Sequence, residues 1–394
     1  MEYKEYKLKD ITEINSENID KNYDGKYINY LDTSNITNGK IDNLQYINIG
    51  DAPSRAKRIV KINDIIYSTV RPNLCHYGIL RKLEKNMIVS TGFVVLRCKK
   101  EINPEYLYAY LTLSKITKQM QSIAETTTST YPSIRPSDIG DLIIPIPSIE
   151  LQNKISHILL SIELKLGLNN KINDNLQKLS SEVYKRWFID FEFPNKDGKP
   201  YKHFDGKMIN SELGEIPEDW KINVLGEFLN IKYGKNLPTS KITNVGYPVY
   251  GGNGVIGKYK EFLYKEPQIL ISCRGAASGK VIISEYNSFI TNNSLILETE
   301  RIKYFYIKEL SLNKNYYGYT TGSAQPQITI DNIKNIKLLV PPESILKDFN
   351  NIVSKLESKC FKIKYENEKL TQLRDTLLPK LMNGEIDLDN IEIY

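Results

Sequence analysis

The stretch GNGVIGKY at residues 252–259 offers the first candidate chemistry. Gly252, Gly254 and Gly257 satisfy G-x-G-x-x-G, and Gly252, Gly257 and Lys258 come close to a phosphate-binding loop. Either motif holds nucleotide phosphates only where it opens a helix, and the second also needs Ser or Thr after the lysine to hold Mg²⁺. Tyr259 follows Lys258, and KYKEFLY reads as a strand, so both matches are read as accidental. Asp219 and Lys221 could end a nuclease-type Asp-x-Lys, but no acidic partner at an upstream strand end accompanies them. His76, His157 and His203 form no H-x-x-x-H pair, which argues against zinc hydrolase and histidine-triad chemistry. A DNA amino-methyltransferase needs an Asp/Asn-Pro-Pro-Phe/Tyr loop to grip a flipped base, whereas Pro341-Pro342 lies between Val340 and Glu343. Cys75, Cys98, Cys273 and Cys360 are far apart with no C-x-x-C, arguing against disulfides and zinc ribbons and for a reducing compartment. No catalytic residue and no metal ligand is assigned.

The remaining polar loops suit nucleic acid. In the second half of the chain YGGN (250–253), SCRGAASGK (272–280) and TTGSAQPQ (320–327) combine glycines with basic and amide side chains; STVRPN (68–73) and TTTSTYPS (126–133) hold the equivalent places in the first half. Glycine lets backbone N–H groups approach phosphate, Arg and Lys supply charge and guanine contacts, and Asn and Gln can pair with adenine. The candidate DNA-binding residues are therefore Arg71, Asn73, Thr127, Ser129 and Tyr131, then Tyr250, Gly251, Gly252, Asn253, Arg274, Lys280, Thr321, Gly322, Ser323, Gln325 and Gln327. Each loop taken alone could equally be a surface turn without a ligand; the recurrence of both loop types favours function. A net charge of +6, from 53 basic and 47 acidic residues, allows a local basic patch and nothing like a histone-like tail.

The elements that must position these loops come in duplicate. YPSIRPSDIGDLIIPIP (131–147) matches QPQITIDNIKNIKLLVP (325–341), with Pro132, Ile134, Ile139 and Pro147 facing Pro326, Ile328, Ile333 and Pro341 at a constant offset of 194. A segment almost free of Gly and Pro follows each, at 150–187 and 343–378, with apolar residues at helical spacing. On a heptad, Ile155, Ile162, Asn169, Leu176 and Val183 share one seam position and Ile158, Lys165, Ile172, Leu179 and Arg186 the other. The second helix places Phe349, Leu356, Ile363, Leu370 and Leu377 at the first, with Ile352, Lys359, Glu366, Leu373 and Lys380 at the second. Helices of about 36 residues, about 54 Å long, need a partner along the seam, and the natural partner is the other copy. Asn169, Lys165 and Glu366 at seam positions either fix register or mark a solvated, partner-facing stretch.

Short β-type runs precede each helix, as in DIIYSTV (64–70), VSTGFVVLR (89–97), QILIS (268–272) and SLIL (294–297), with helical pieces such as 105–113 between them. The run 193–219 is rich in turn formers and charges and reads as a linker. The expected fold class is α+β, divided into a first strand-rich globule at 1–148, a long helix at 149–189, a linker at 190–219, a second strand-rich globule at 220–342, a second long helix at 343–382 and a tail at 383–394. No apolar run reaches the ~18 residues of a membrane span, and the charged N-terminus MEYKEYKLKDI is no signal peptide.

Over nearly its whole length the chain resembles the specificity subunits of type I restriction-modification systems. The residues carrying the resemblance are VYKRWFIDFEFP (183–194), GEIPEDWKINVLGEF (214–228), YPVYGGNGVIGKY (247–259), ISCRGAASGKV (271–281), GSAQPQI (322–328) and LRDTLLPKLMNGEI (373–386). The resemblance implies two target-recognition domains reading the halves of a bipartite, asymmetric DNA site. It implies long helices packed as an antiparallel coiled coil, with a pseudo-twofold repeat, that space the half-sites and dock two methyltransferase subunits. It further implies a cytoplasmic, non-catalytic chain that binds no cofactor and contacts double-stranded DNA but no membrane. S-adenosylmethionine for adenine-N6 methylation would belong to the methyltransferase partners, and ATP and Mg²⁺ to restriction subunits, of which there would be two where present. The first recognition domain lacks the Gly-Gly-Asn loop and has Arg71-Pro72-Asn73-Leu74 where the second has Arg274-Gly275-Ala276-Ala277. The alternatives are a stand-alone DNA-binding repressor, a nuclease using Asp219 and Lys221, and a coiled-coil adaptor.

Overall fold

A computed structural model describes residues 3–20, 23, 25–127, 132–204, 206–322, 325–386 and 388. Two compact units emerge, Met1–Asn169 with Tyr365–Tyr394, and Asn170–Lys364.

In the first unit Ile65–Ser68 is buried at every position, which accounts for its unbroken apolar run: a central strand covered on both faces has no polar side to alternate with. It pairs antiparallel with Phe93–Cys98 and Tyr77–Ile79, and Thr12–Ile14 closes the sheet on the far side of Phe93–Cys98. A second sheet orders Gln45–Asn48, Tyr27–Leu31, Met87–Ser90 and Ala56–Ile59, with Tyr27–Leu31 parallel to Met87–Ser90. Lys4–Lys7 pairs with Ile143–Ile146.

The second unit is built the same way. Ile269–Ser272, again wholly buried, lies between Ser294–Glu298 and Val281–Ile283, with Asn230–Tyr233 on the outer side of Ser294–Glu298. Tyr247–Gly251 runs parallel to Phe289–Ile290 and antiparallel to Gly254–Tyr259, and Lys221–Val224 pairs with Lys337–Val340.

Individual hydrogen bonds repeat as well. The buried tyrosines Tyr106 and Tyr306 each donate a hydroxyl to a strand carbonyl, at Pro145 (2.8 Å) and Leu339 (2.6 Å). Leu8 N donates to Leu142 O at 2.9 Å and Leu225 N to Ile336 O at 2.8 Å. The backbone N–H groups of Arg135 and Thr329 are held by Asp138 and Asn332, three residues on, at the start of the short helices Pro136–Gly140 and Ile330–Ile333. These acceptors and caps keep the 194-residue offset of the sequence repeat, which is therefore a repeat of tertiary contacts.

The long helices are Ile149–Phe188 and Glu343–Met382, each of 40 residues. In the first unit Leu151, Ile155 and Leu159 share a core with Leu378, Leu381 and Met382. Asn169, only 1% exposed, donates to Glu366 Oε2 (2.9 Å) and Asn367 Oδ1 (2.8 Å). In the second unit Tyr184, Trp187 and Phe188 share a core with Leu346, Phe349 and Val353, the Phe188 and Phe349 rings meeting edge to face at 4.8 Å.

Burial corrects one half of the expected seam. Ile155, Ile162, Asn169, Phe349 and Ile363 are buried, and Leu176, Val183, Leu356, Leu370 and Leu377 are half-buried. The expected second position is turned to solvent at Lys165, Ile172, Leu179, Arg186, Ile352, Lys359, Leu373 and Lys380. The residues one place later, Leu159, Leu166, Asn173, Ser180 and Trp187, then Val353, Cys360, Asn367, Arg374 and Leu381, are buried or half-buried instead. Heptad spacing of 3 and 4 fits either choice; packing selects the step of 4 after the first position. Among the described residues no helix is long and apolar enough to cross a membrane.

Candidate nucleic-acid interface

In each unit the central strand runs out into a loop pinned by the start of the repeated segment, 131–147 or 325–341. In the second unit Arg274 bridges Gln327, Gly275 N donates to Pro326 O at 3.0 Å, and Ile328 N donates to Cys273 O at 3.1 Å. In the first, Val70 bridges Ser133, Arg71 N donates to Pro132 O at 2.9 Å, and Ile134 N donates to Thr69 O at 2.9 Å. Thr69, Val70 and Arg71 therefore match Cys273, Arg274 and Gly275. The sequence pairing of Arg71 with Arg274 is out by one residue: Arg274 corresponds to Val70, and Arg71 stands where the second unit has glycine. Both are left-handed, at φ 47° for Arg71 and 75° for Gly275, because the chain turns out of the strand there.

The remaining first-unit candidates divide. Arg71 and Asn73 are exposed, and Asn73 N donates to Gln121 Oε1 at 3.1 Å. Thr127 is the last residue of the helix Ser114–Thr127; Ser129 and Tyr131 lie outside the described residues.

In the second unit Asn253, Arg274, Lys280, Thr321, Gly322, Gln325 and Gln327 are exposed, while Ser323 lies outside the described residues. Backbone bonds between Thr321 and Gln327 (2.7 and 2.8 Å) close the TTGSAQPQ loop at its base. Gly251 is buried and Gly252 half-buried; a Cβ on Gly252 would stand 3.1 Å from Ser272 Oγ, so glycine lets this loop close over the strand end. Tyr250 is corrected: it is 4% exposed in an apolar cluster, and its hydroxyl accepts from Glu285 N at 3.0 Å. Burial pushes its phenol above the usual range, and it supports the loop from inside. Burial likewise pushes the Cys273 thiol up, keeping it a neutral core side chain. The glycine-rich nucleotide motif opens the strand Gly254–Tyr259, not a helix.

Lys280 donates to Asn253 Oδ1 at 2.8 Å, joining two of the three loops. They line an open cavity of about 470 Å³ with Ala276, Ala277, Ser278 and Tyr317. Tyr317 escaped sequence reasoning because it lies in no motif, within the tyrosine-rich run NYYGYT. Among the described residues no cluster of His, Cys, Asp or Glu could hold a metal ion.

The family model described as the type I restriction modification DNA specificity domain matches residues 1–178 and again 217–373. The chain is 26% identical to the type I restriction enzyme HindI specificity subunit of Haemophilus influenzae, covering 98% of this chain and all of that one. It is 28% identical to the MjaIX specificity subunit of Methanocaldococcus jannaschii, over 78% of this chain and 75% of that one. Among solved structures, the type I restriction-modification S subunit from M. genitalium shares the fold at a TM-score of 0.58 and 19% identity, covering 97% of this chain and 96% of that one. With its two family matches falling on the two copies of the internal repeat, the chain belongs to the type I restriction-modification DNA specificity family.

Proposed function

We propose that this chain is the sequence-specific DNA-recognition subunit of a type I restriction-modification complex, without catalytic activity of its own. Residues 1–148 and 220–342 are its two target-recognition domains, 190–219 the linker and 383–394 the tail. Each domain reads one half of a bipartite, asymmetric site. The observation that carries this is the pair of equivalent strand-end loops, one on each unit, made of different residues: the same scaffold presents Val70-Arg71 in one place and Arg274-Gly275 in the other. Similar scaffolds with unlike loops suit an asymmetric target.

The helices at 149–189 and 343–382 act as the spacer, packed as an antiparallel coiled coil that relates the domains by a pseudo-twofold repeat. The apolar residues they contribute to both cores, and the Asn169 hydrogen bonds, support this. Asn169 serves to fix register, since a shifted register strands its buried amide. Two methyltransferase subunits bind the spacer and supply S-adenosylmethionine and adenine-N6 chemistry, and restriction subunits, with ATP and Mg²⁺, join them. This chain binds no cofactor, and the complex works in the cytoplasm, where the DNA is.

The test is native mass spectrometry of the tagged chain purified gently from its own cells, followed by methylome mapping. Two methyltransferase copies per chain and one bipartite methylated motif are expected. A bare chain that binds its site tightly alone contradicts the assignment and points to a repressor.

A further inference from the structure

We infer that Lys280, oriented by Asn253, reads the acceptor edge of a guanine in the half-site of the second recognition domain, with Tyr317 walling the pocket. This rests on the DNA-reading function proposed above and narrows it to one base type and one site.

The chemistry follows from which atoms are already used. Asn253 Oδ1 accepts from Lys280 Nζ at 2.8 Å. Lys280 donates only, and this bond leaves its other ammonium protons and the Nδ2 donors of Asn253 for a ligand, with one lone pair remaining on Oδ1. The pair therefore presents a cluster of donors against a single remaining acceptor lone pair. Guanine shows two adjacent acceptors, N7 and O6, in the major groove; thymine shows one, O4, beside its methyl group, adenine sets a donor beside its N7, and cytosine offers a donor there. A cluster of donors satisfies both acceptors of guanine, only one on thymine, and meets a competing donor on adenine or cytosine.

The surroundings form a built site. Gly279 is left-handed (φ 89°), and a Cβ there would fall 2.7 Å from the backbone nitrogen of Tyr317. Only glycine lets the turn Tyr317–Tyr319 close onto this loop and place Tyr317, 61% exposed, at the cavity wall. Ala276 and Ala277 keep the cavity open. Ser278, 3% exposed, has a hydroxyl without a hydrogen-bond partner among the described residues, so the loop holds polar capacity that its own contacts do not use.

The first unit does not repeat the arrangement. His76 occupies the position of Lys280, since Ser68 N donates to His76 O as Ser272 N donates to Lys280 O, both at 2.9 Å. Its ring turns to its own unit, with Nδ1 2.6 Å from Ile36 O and 3.3 Å from Thr37 Oγ1. The donor pair thus belongs to the second half-site.

A phosphate oxygen would satisfy the same donors, and the experiment separates the two. The full chain, assembled with its methyltransferase subunits, is titrated with duplexes carrying its mapped site, each guanine of the second half replaced in turn by 7-deazaguanine. One replacement should weaken binding by about tenfold or more. Lys280→Ala should be indifferent to that replacement, and Asn253→Ala should shrink its effect, a change that mere loop damage would not produce. Uniform weakening of every duplex by Lys280→Ala, with the salt dependence reduced by about one unit, places Lys280 on phosphate and overturns the inference while leaving the DNA-reading function intact. A second half-site containing no guanine on either strand overturns it too. A parent complex that discriminates no sequence removes both the inference and the function beneath it.

Discussion

Arg71 and Gly275 hold the same position in their two units: each donates its backbone N–H to the proline carbonyl near the start of the repeated segment, Pro132 or Pro326, and each is left-handed. Glycine adopts that conformation freely, whereas a side chain with Cβ is strained by roughly 1–2 kcal/mol. The first unit accepts strain to put a guanidinium at the strand end.

Substitution should separate that backbone role from DNA contact. Arg71→Gly is expected to leave stability within about 1 kcal/mol of the parent. Arg71→Val, β-branched in a left-handed position, should cost roughly 1–2 kcal/mol. Both should weaken DNA binding alike. Thermal unfolding and duplex titration check this; equal stability of the two variants would show that the turn tolerates any residue.

Arg274 sits at the closed base of the TTGSAQPQ loop and is exposed. Arg274→Ala should relax one position of the second half-site by about 1–3 kcal/mol if the guanidinium reads a base. A binding series over single-base variants decides the matter, and equal weakening across the series would assign it to phosphate.

Asn169 ties the two long helices together inside the first unit through Glu366 and Asn367. Asn169→Ala should cost about 1–3 kcal/mol, because it removes hydrogen bonds to a carboxylate and an amide at a buried seam position. Chemical denaturation measures it. An unchanged midpoint would mean that the network adds nothing to stability.

The same network sets a pH response. The Asn169 amide first and Lys165 second hold the Glu366 carboxyl below the usual carboxylate range. A depressed folded-state pKa gives stability that is complete above the unfolded value and lost as pH falls through the folded one. Removing Asn169 should raise the Glu366 pKa toward its ordinary value, so less stability is lost on acidification and the loss is complete at a higher pH. Carboxyl titration by NMR in parent and Asn169→Ala should show that upward shift; an unmoved Glu366 would sink the claim.

The spacer role makes a geometric prediction. Matched seven-residue helical insertions after Gly167 and in the facing stretch of the second helix should lengthen the spacer by about 10.5 Å, or about three base pairs of DNA. Methylome mapping should find the same bases separated by a longer gap, and altered bases would contradict a pure spacer.

The duplication, the long helices and the absence of catalytic motifs were legible in the residues, because each is a local or periodic property. Apolar spacing announces a helix wherever it folds, and a repeat such as Ile134 and Ile328 shows in one dimension. What only the tertiary structure decided depends on neighbours. Tyr250 belongs to a glycine-rich loop on paper, yet packing takes its ring into the core and turns Asn253 outward. Heptad counting cannot choose between Ile158 and Leu159 as seam partners of Ile155, since only the facing surface says which side is covered. Aligned by type, Arg71 falls on Arg274; aligned by hydrogen bonds, it falls on Gly275, because a loop position is defined by its backbone conformation and partner, and neither is written in the side chain.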